Sequence, residues 1–437
     1  MILFKHPGRR LAILAVVVAL VAGAAVGVWQ LFGDDEGPTP VPGSVEPPSL
    51  RDAPLREGWP DSLELGTASG LGFADEFDDV EGLRFRYQYL AGGVQNSWRA
   101  WEDGEFVHRY VEESAQRDLI PVFTYYMLFQ SSPGGSEGDA NFASLNDRET
   151  MRRYFQDVIA LFEQASAHND LPIVVHMEPD LWGQMHTRSR DDDASTVPAV
   201  VGSTGLPELE GLPDTFAGFG QAVVRLRDMY APDVLLAYHL SVWGVGSDIV
   251  YEDPPDDTVA EYARRSADFY HSIDADFDLV FSEFSDRDAG FKEHVYGDGG
   301  ASWWDESDFH RNLVFLSTFV EQTKRRIVMW QIPYGNTQMR TLDNTWNHYQ
   351  DNRVEWLLGE ERDEHLRAYA EAGVIALLFG RGADGATDAS DAAGDGVTNP
   401  EPINGNTSRS ALADDDGGLF RSLAKAYYES GPLALPS

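Results

Sequence analysis

The 437-residue chain contains no cysteine. That absence excludes disulfides, thiolate metal sites, a cysteine nucleophile and a lipid anchor built on an N-terminal cysteine. It leaves the redox compartment open, because a cysteine-free chain works in either environment. Lysine is scarce too: Lys5, Lys292, Lys324 and Lys425 are all there are, so arginine supplies nearly all the positive charge. Against 33 basic side chains stand 72 acidic ones, a formal net charge of −39. A surface of that sign repels nucleic acid and anionic lipid and argues against both as partners. The charge reads either as a solubility device or salt adaptation, or as a field that attracts a cationic substrate. There is no internal repeat, no HExxH and no other tight His/carboxylate spacing. GTASGLG (66–72) is glycine-rich but lacks the dinucleotide fingerprint spacing, and reads as a plain turn.

What is present starts with an apolar run. MILFKHPGRR is basic, Leu11 to Phe32 is almost wholly apolar, and Asp34, Asp35 and Glu36 follow. That run is about the twenty residues a bilayer requires, and the basic side stays inside the cell. Residues 1–32 therefore read as a single-pass membrane anchor with the rest of the chain extracytoplasmic. The rival is a cleaved signal peptide, with AGAA (22–25) as the small-residue site, which would make the protein secreted. Residues 33–60 are rich in proline, glycine and acids without apolar periodicity, the composition of a semi-extended tether.

From residue 61 onward, 43% overall hydrophobic content supports a substantial core. Strand-like runs fall at 63–68, 83–90, 120–127, 172–178, 234–240, 277–283, 326–332 and 373–379. Helical patterns fall at 105–118, 147–168, 214–230, 257–273, 308–324, 360–372 and 417–429. Such alternation predicts an α/β fold, a (β/α)8 TIM barrel over residues 61–437, with a doubly wound open sheet as runner-up. The long connections follow strands four, six, seven and eight, at 179–213, 284–307, 333–358 and 380–416. Barrels carry their active sites on that carboxyl face.

Polar residues finish the apolar runs there: Tyr125 or Tyr126, Glu178, His239, Glu283 and Gln331. In FRYQYL (85–90), Arg86 and Gln88 share one face and Phe85, Tyr87 and Tyr89 the other. An arginine inside the barrel would hold a carboxylate ionised. Glu178 and Glu283 are the expected catalytic carboxylates, with Asp180 and Asp286 in reserve. The bland alternatives are structural ion pairs, Glu283 with Arg287 for example. His176 and His239 read as core or supporting histidines rather than metal ligands. Trp98, Trp101, Trp182, Trp243, Trp303, Trp304 and Trp346 lie beyond strand ends or in loops, where a ring can stack on a sugar or simply pack. The segment 330–356 is dense in Asn, Gln, His, Tyr and Asp, and reads as a binding loop or as a loop capping its own backbone. The expected binding set is Arg86, Tyr125, Trp182, His239, Trp243, Trp304, Gln331, Asn336, His348 and Asp351. Asp384, Asp388, Asp391 and Asp395 lack the alternate-residue calcium spacing, so 383–402 reads as a solvated loop. No cofactor is expected, and the residues carry no signal for an oligomeric state.

Paired carboxylates at strand ends resemble those of barrel glycoside hydrolases. Glu178-Pro179 resembles the Asn-Glu-Pro signature of the large retaining clan that includes many cellulases, with two departures. Met177 stands in place of the asparagine, and strand seven ends in Gln331 where that clan has its nucleophilic glutamate. Glu178-Pro179-Asp180 is also similar to a stretch of an inverting cellulase family with a distorted barrel, which implies a role for Asp180. Carboxylates on strands four and six are similar to the arrangement in α-galactosidase-like barrels. The resemblance implies hydrolysis of a polysaccharide or oligosaccharide, one carboxyl protonating the leaving oxygen and the other attacking the sugar or activating water. Two other readings stay open: a non-catalytic glycan-binding barrel of envelope assembly, and a metal-dependent hydrolase using the aspartates of 281–290 and 383–395.

Overall fold

The computed structural model describes residues 50, 53–132, 134–167, 171–284, 288–337, 350–380 and 416–436. The expected anchor (1–32), residues 33–49 of the expected tether and the acidic segment 383–402 lie outside the described residues. Among the described residues no helix is long and apolar enough to cross a membrane.

All eight predicted strands form: β1 (Glu64–Ala68), β2 (Phe85–Leu90), β3 (Ile120–Tyr125), β4 (Val174–Met177), β5 (Leu235–Leu240), β6 (Leu279–Glu283), β7 (Ile327–Pro333) and β8 (Val374–Gly380). Each pairs in parallel with the next, and β1 pairs with β8, so the sheet is a closed barrel. The Glu64↔Ala376 register removes the open-sheet alternative. Most of these strands are nearly continuous apolar runs, because both faces of a parallel barrel are covered. Phe85, Tyr87, Val122, Val174, Ala237, Phe281, Val328, Trp330 and Leu378 fill the interior as one cluster. A second, larger cluster lies between the strands and the helices.

The helices are α1 (Phe106–Ala115), α2 (Glu137–Leu145), α3 (Arg148–Ala165), α4 (Leu181–Arg188), α5 (Phe216–Tyr230), α6 (Asp256–Ser272), α7 (Ala289–Phe291), α8 (Glu306–Thr323), α9 (Arg353–Leu358), α10 (Arg362–Glu371) and α11 (Leu419–Glu429). Side-chain caps open four of them, α2, α3, α5 and α8. Asp147 accepts the Thr150 N–H ahead of α3, and Asp305 and Asp308 form a reciprocal capping box on α8. The sequence reading missed α2, α4, α7 and α9, whose 3 to 9 residues are too few to display a helical period.

Residues 53–60, read from composition as tether, close the amino end of the barrel. Trp59 is 6% exposed and joins the interior cluster, its ring 4.9 Å from that of Phe85. The Ala53 carbonyl accepts the Arg326 Nε–H at 2.6 Å. The chain end returns to the same place, where the Leu435 N–H donates to the Asp61 carbonyl at 2.8 Å.

Candidate active site

The end of β4 decides the site. Met177 is the last strand residue, and the backbone then takes positive φ at Glu178 (43°) and again at Asp180 (64°). Neither residue is glycine, so each conformation costs about 1 kcal/mol and needs its surroundings to hold it. Here the surroundings do. The Glu178 N–H donates to the Tyr125 carbonyl at 2.7 Å. The Glu178 carboxyl group accepts the Met127 N–H at 3.1 Å and the Leu128 N–H at 3.3 Å, beside the Tyr154 ring of α3. It is wholly buried in the layer between strands and helices. Burial pushes it up to about 8, with those hydrogen bonds opposing. Glu178 thus turns away from the barrel mouth. The expected Glu178–Glu283 pair does not assemble, and the reason is the left-handed turn at residue 178.

The same turn sends Asp180 the other way. One oxygen of Asp180, one oxygen of Glu283 and one ring nitrogen of His239 all lie within 4.8 Å of one another. Glu283 ends β6, and His239 comes one residue before the end of β5. The first turn of α4 is drawn close to β5 by Gly183. A Cβ there would stand 2.7 Å from Ser241 Oγ and 2.9 Å from the Trp243 ring. Glycine is therefore what lets α4 bring its N-cap residue, Asp180, over the mouth.

Below the three groups is an aromatic and imidazole floor. His239 Nδ1 faces His176 Nε2 at 3.0 Å, and His176 Nδ1 faces the Thr124 hydroxyl at 3.3 Å. His176 stacks on Phe281 at 4.4 Å and on the edge of Trp330 at 4.9 Å. Burial lowers both histidines, His239 to about 3, so both are neutral at ordinary pH. At the rim, the Tyr89 hydroxyl donates to Gln331 Oε1 at 2.6 Å and the Tyr126 hydroxyl to Glu137 Oε1 at 2.7 Å. The two rings are 6.3 Å apart, and Asp180 is among the carboxylates whose field raises the Tyr126 hydroxyl after burial itself.

Most of the other expected binding residues are structural. Arg86 lies in the outer layer, paired with Glu113 at 3.0 Å and stacked 4.0 Å over Tyr110, because Phe85 and Tyr87 take the interior face. It neutralises neither mouth carboxylate. Tyr125 packs outward, 5.5 Å from Tyr154. Trp182 donates to the Met177 carbonyl at 2.8 Å and is walled in by Phe216, Phe219, Tyr238 and Phe277. Trp304 is buried among Phe284, Phe309 and the Arg353 guanidinium. Asn336 is buried and donates to the Asp416 carbonyl at 3.0 Å. Asp351 accepts the Ala289 N–H at 2.9 Å and the buried Arg353 guanidinium at 2.6 Å. Trp243 is half-buried beside Gly183. Asp286, Arg287, Trp346 and His348 lie outside the described residues.

Sequence reasoning passed over Tyr89 and Trp330 as mouth residues and gave Tyr126 only as the alternative to Tyr125, whereas His176 lies where it was read, as a supporting core histidine. Strand parity was the available signal. Thr124 and Tyr126 share a parity that faces the interior, whereas Phe123 and Tyr125 belong to the outer cluster. Two surface depressions of about 400 and 390 Å³ lie elsewhere, one beside Glu64, Arg84 and Tyr428, the other beside Gln221, Asp228 and Asp276. Neither includes any of the three mouth groups.

No protein-family model matches the chain, and no curated protein does. Solved structures do. An endo-β-1,4-mannanase double mutant from Cellulomonas fimi is 12% identical, with 84% of this chain and 71% of that chain covered, at a TM-score of 0.46. A β-glucosidase from Thermotoga maritima in complex with castanospermine is 11% identical over 87% of this chain and 99% of that chain, at 0.47. CbXyn10B in its native form is 8% identical over 85% and 98%, at 0.43. The barrel itself is established by the strand pairing of this chain, which matches no family model.

Proposed function

We propose that the chain is a glycoside hydrolase whose reacting carboxylates are Asp180 and Glu283. The observation that carries this reading is their convergence within 4.8 Å, over His239, at the carboxyl mouth of the barrel. Glycosidic cleavage needs two such groups. One enters protonated and gives its proton to the leaving oxygen; the other enters ionised and meets the anomeric carbon or a water. Like charges this close favour a state with a single proton between them. The closeness fits a retaining mechanism, whose carboxyls stand about 5–5.5 Å apart, better than an inverting one, which needs about 6.5–9.5 Å to seat a water. Tyr89, Tyr126, Gln331 and Trp243 supply the ring faces and polar groups that a sugar requires nearby.

In this reading the substrate is a polysaccharide or oligosaccharide outside the cytoplasm. Residues 1–32 act as the anchor, or as a signal that is removed. Support for the location is the order basic, apolar, acidic in the first 36 residues.

A glycan panel screened with the full chain tests the proposal. Release of reducing ends is expected, with Asp180→Asn and Glu283→Gln each lowering turnover by roughly a thousandfold. Hydrolysis that persists in both variants sinks it. Glycan binding without product, unchanged in both variants, would favour the non-catalytic barrel instead.

A further inference from the structure

The three mouth groups also form a ligand set. His239 is fully buried, and its Nε2 has no hydrogen-bond partner among the described residues. With Nδ1 against His176, Nε2 is the nitrogen left to face Asp180 and Glu283. A buried polar atom without a partner is costly, and a native structure usually gives it a use. Two carboxylate oxygens and one imidazole nitrogen suit a divalent transition cation, bound at about 2.0–2.2 Å from each. Imidazole selects zinc and its neighbours over magnesium and calcium, which prefer oxygen alone.

The floor of the mouth completes the arrangement. Metal-bound histidines commonly give their second N–H to a fixed acceptor, which locks the ring and its tautomer. Here His239 Nδ1–H can donate to His176 Nε2, and His176 Nδ1–H to Thr124 Oγ1, leaving a lone pair on His239 Nε2. Phe281 and Trp330 hold the His176 ring between them.

We infer that Asp180, His239 and Glu283 bind one divalent cation of the zinc class, and that its occupancy shuts hydrolysis off by engaging both reacting carboxylates. Binding stands on the geometry by itself, whereas the shut-off rests on the hydrolase reading.

The test is calorimetric titration of the metal-stripped full chain with zinc chloride and, separately, magnesium chloride. One zinc site of micromolar or tighter affinity is expected, weakened about tenfold or more in Glu283→Gln and in His239→Gln, and retained in Glu178→Gln. The surface acids bind cations diffusely, so a zinc isotherm that is the same in wild type and Glu283→Gln overturns the site. Magnesium binding as tightly as zinc overturns it as well. A ¹⁵N imidazole spectrum should show the His239 Nε2 resonance moving on zinc addition, and a resonance that stays put counts against ligation. In the activity arm, one equivalent of zinc should abolish hydrolysis and a chelator restore it. Zinc binding with undiminished hydrolysis overturns the shut-off. Absence of hydrolysis in metal-free and loaded chains alike removes the hydrolase reading and the shut-off with it, while the calorimetry still decides the site.

Discussion

The carboxyl groups of Glu178 and Asp180, two residues apart in sequence, lie on opposite sides of the barrel wall. Glu178 is sealed against the amides of Met127 and Leu128 under α3, and Asp180 stands with His239 and Glu283 at the mouth. One group is therefore structural and the other is exposed to chemistry.

The buried one makes stability depend on pH. Its folded value of about 8 lies above the ordinary 4.5, so between those values the folded chain keeps a proton that the unfolded chain releases. Stability accordingly falls as pH rises through that window, by roughly 1.4 kcal/mol per unit, and levels off above it. Asp147, Asp192 and Asp214 are shifted down, so their contribution is lost only on the acid side of the usual aspartate range. Glu178→Gln should fold, keep hydrolysis within a few-fold and lessen the decline, to which the other carboxyls raised by burial (Glu64, Asp157, Asp248, Asp308, Asp351 and Glu355) also contribute. Urea unfolding at pH 5, 7 and 9 checks this; an equal slope in both proteins would remove Glu178 as the cause.

Stereochemistry follows from the separation of Asp180 and Glu283. The first product released should keep the anomeric configuration of the substrate, as read by proton NMR before mutarotation. An inverted product would mean that the two carboxyls work farther apart than they stand here.

Trp182 and Trp243 should separate packing from binding. Trp182→Ala empties a site enclosed by four aromatic rings and is expected to cost about 3–5 kcal/mol of stability. Trp243→Ala should leave the melting temperature within a few degrees and raise KM. A stable Trp182→Ala protein with weakened glycan binding would return that ring to the substrate.

Asp351 and Arg353 are both buried and face each other. Asp351→Ala strands the guanidinium and should destabilise by about 3–5 kcal/mol. Chemical denaturation measures it, and restoration by the double change Asp351→Ala with Arg353→Met would identify the unpaired charge as the cause. A single variant as stable as wild type would move Asp351 back toward the substrate.

Much of the architecture was legible because a barrel strand is apolar on both faces. Runs such as IVMWQIP and VIALLFG admit little else once helices separate them. The carboxyl-face loops marked the end of the barrel where Asp180, His239 and Glu283 converge. Which side of the wall a residue faces was far less legible. Parity separates Arg86 from Tyr87, but nothing local says which face is inside; the answer comes from seven other strands. Glu178 escaped entirely, since the left-handed turn that rotates it outward leaves no trace in periodicity. Trp182 was misplaced because α4 starts directly after the turn and carries the ring into the helix layer, where a loop would have left it at the rim.

Trp59 and Leu435 have a bearing on how this molecule can be attached to anything. Both pack at the amino end of the barrel, so the polypeptide enters and leaves by the face opposite Asp180 and Glu283. A module joined directly ahead of residue 53 or directly after residue 436 would meet the barrel from behind. A long polymer can then lie across the front without passing the point of attachment.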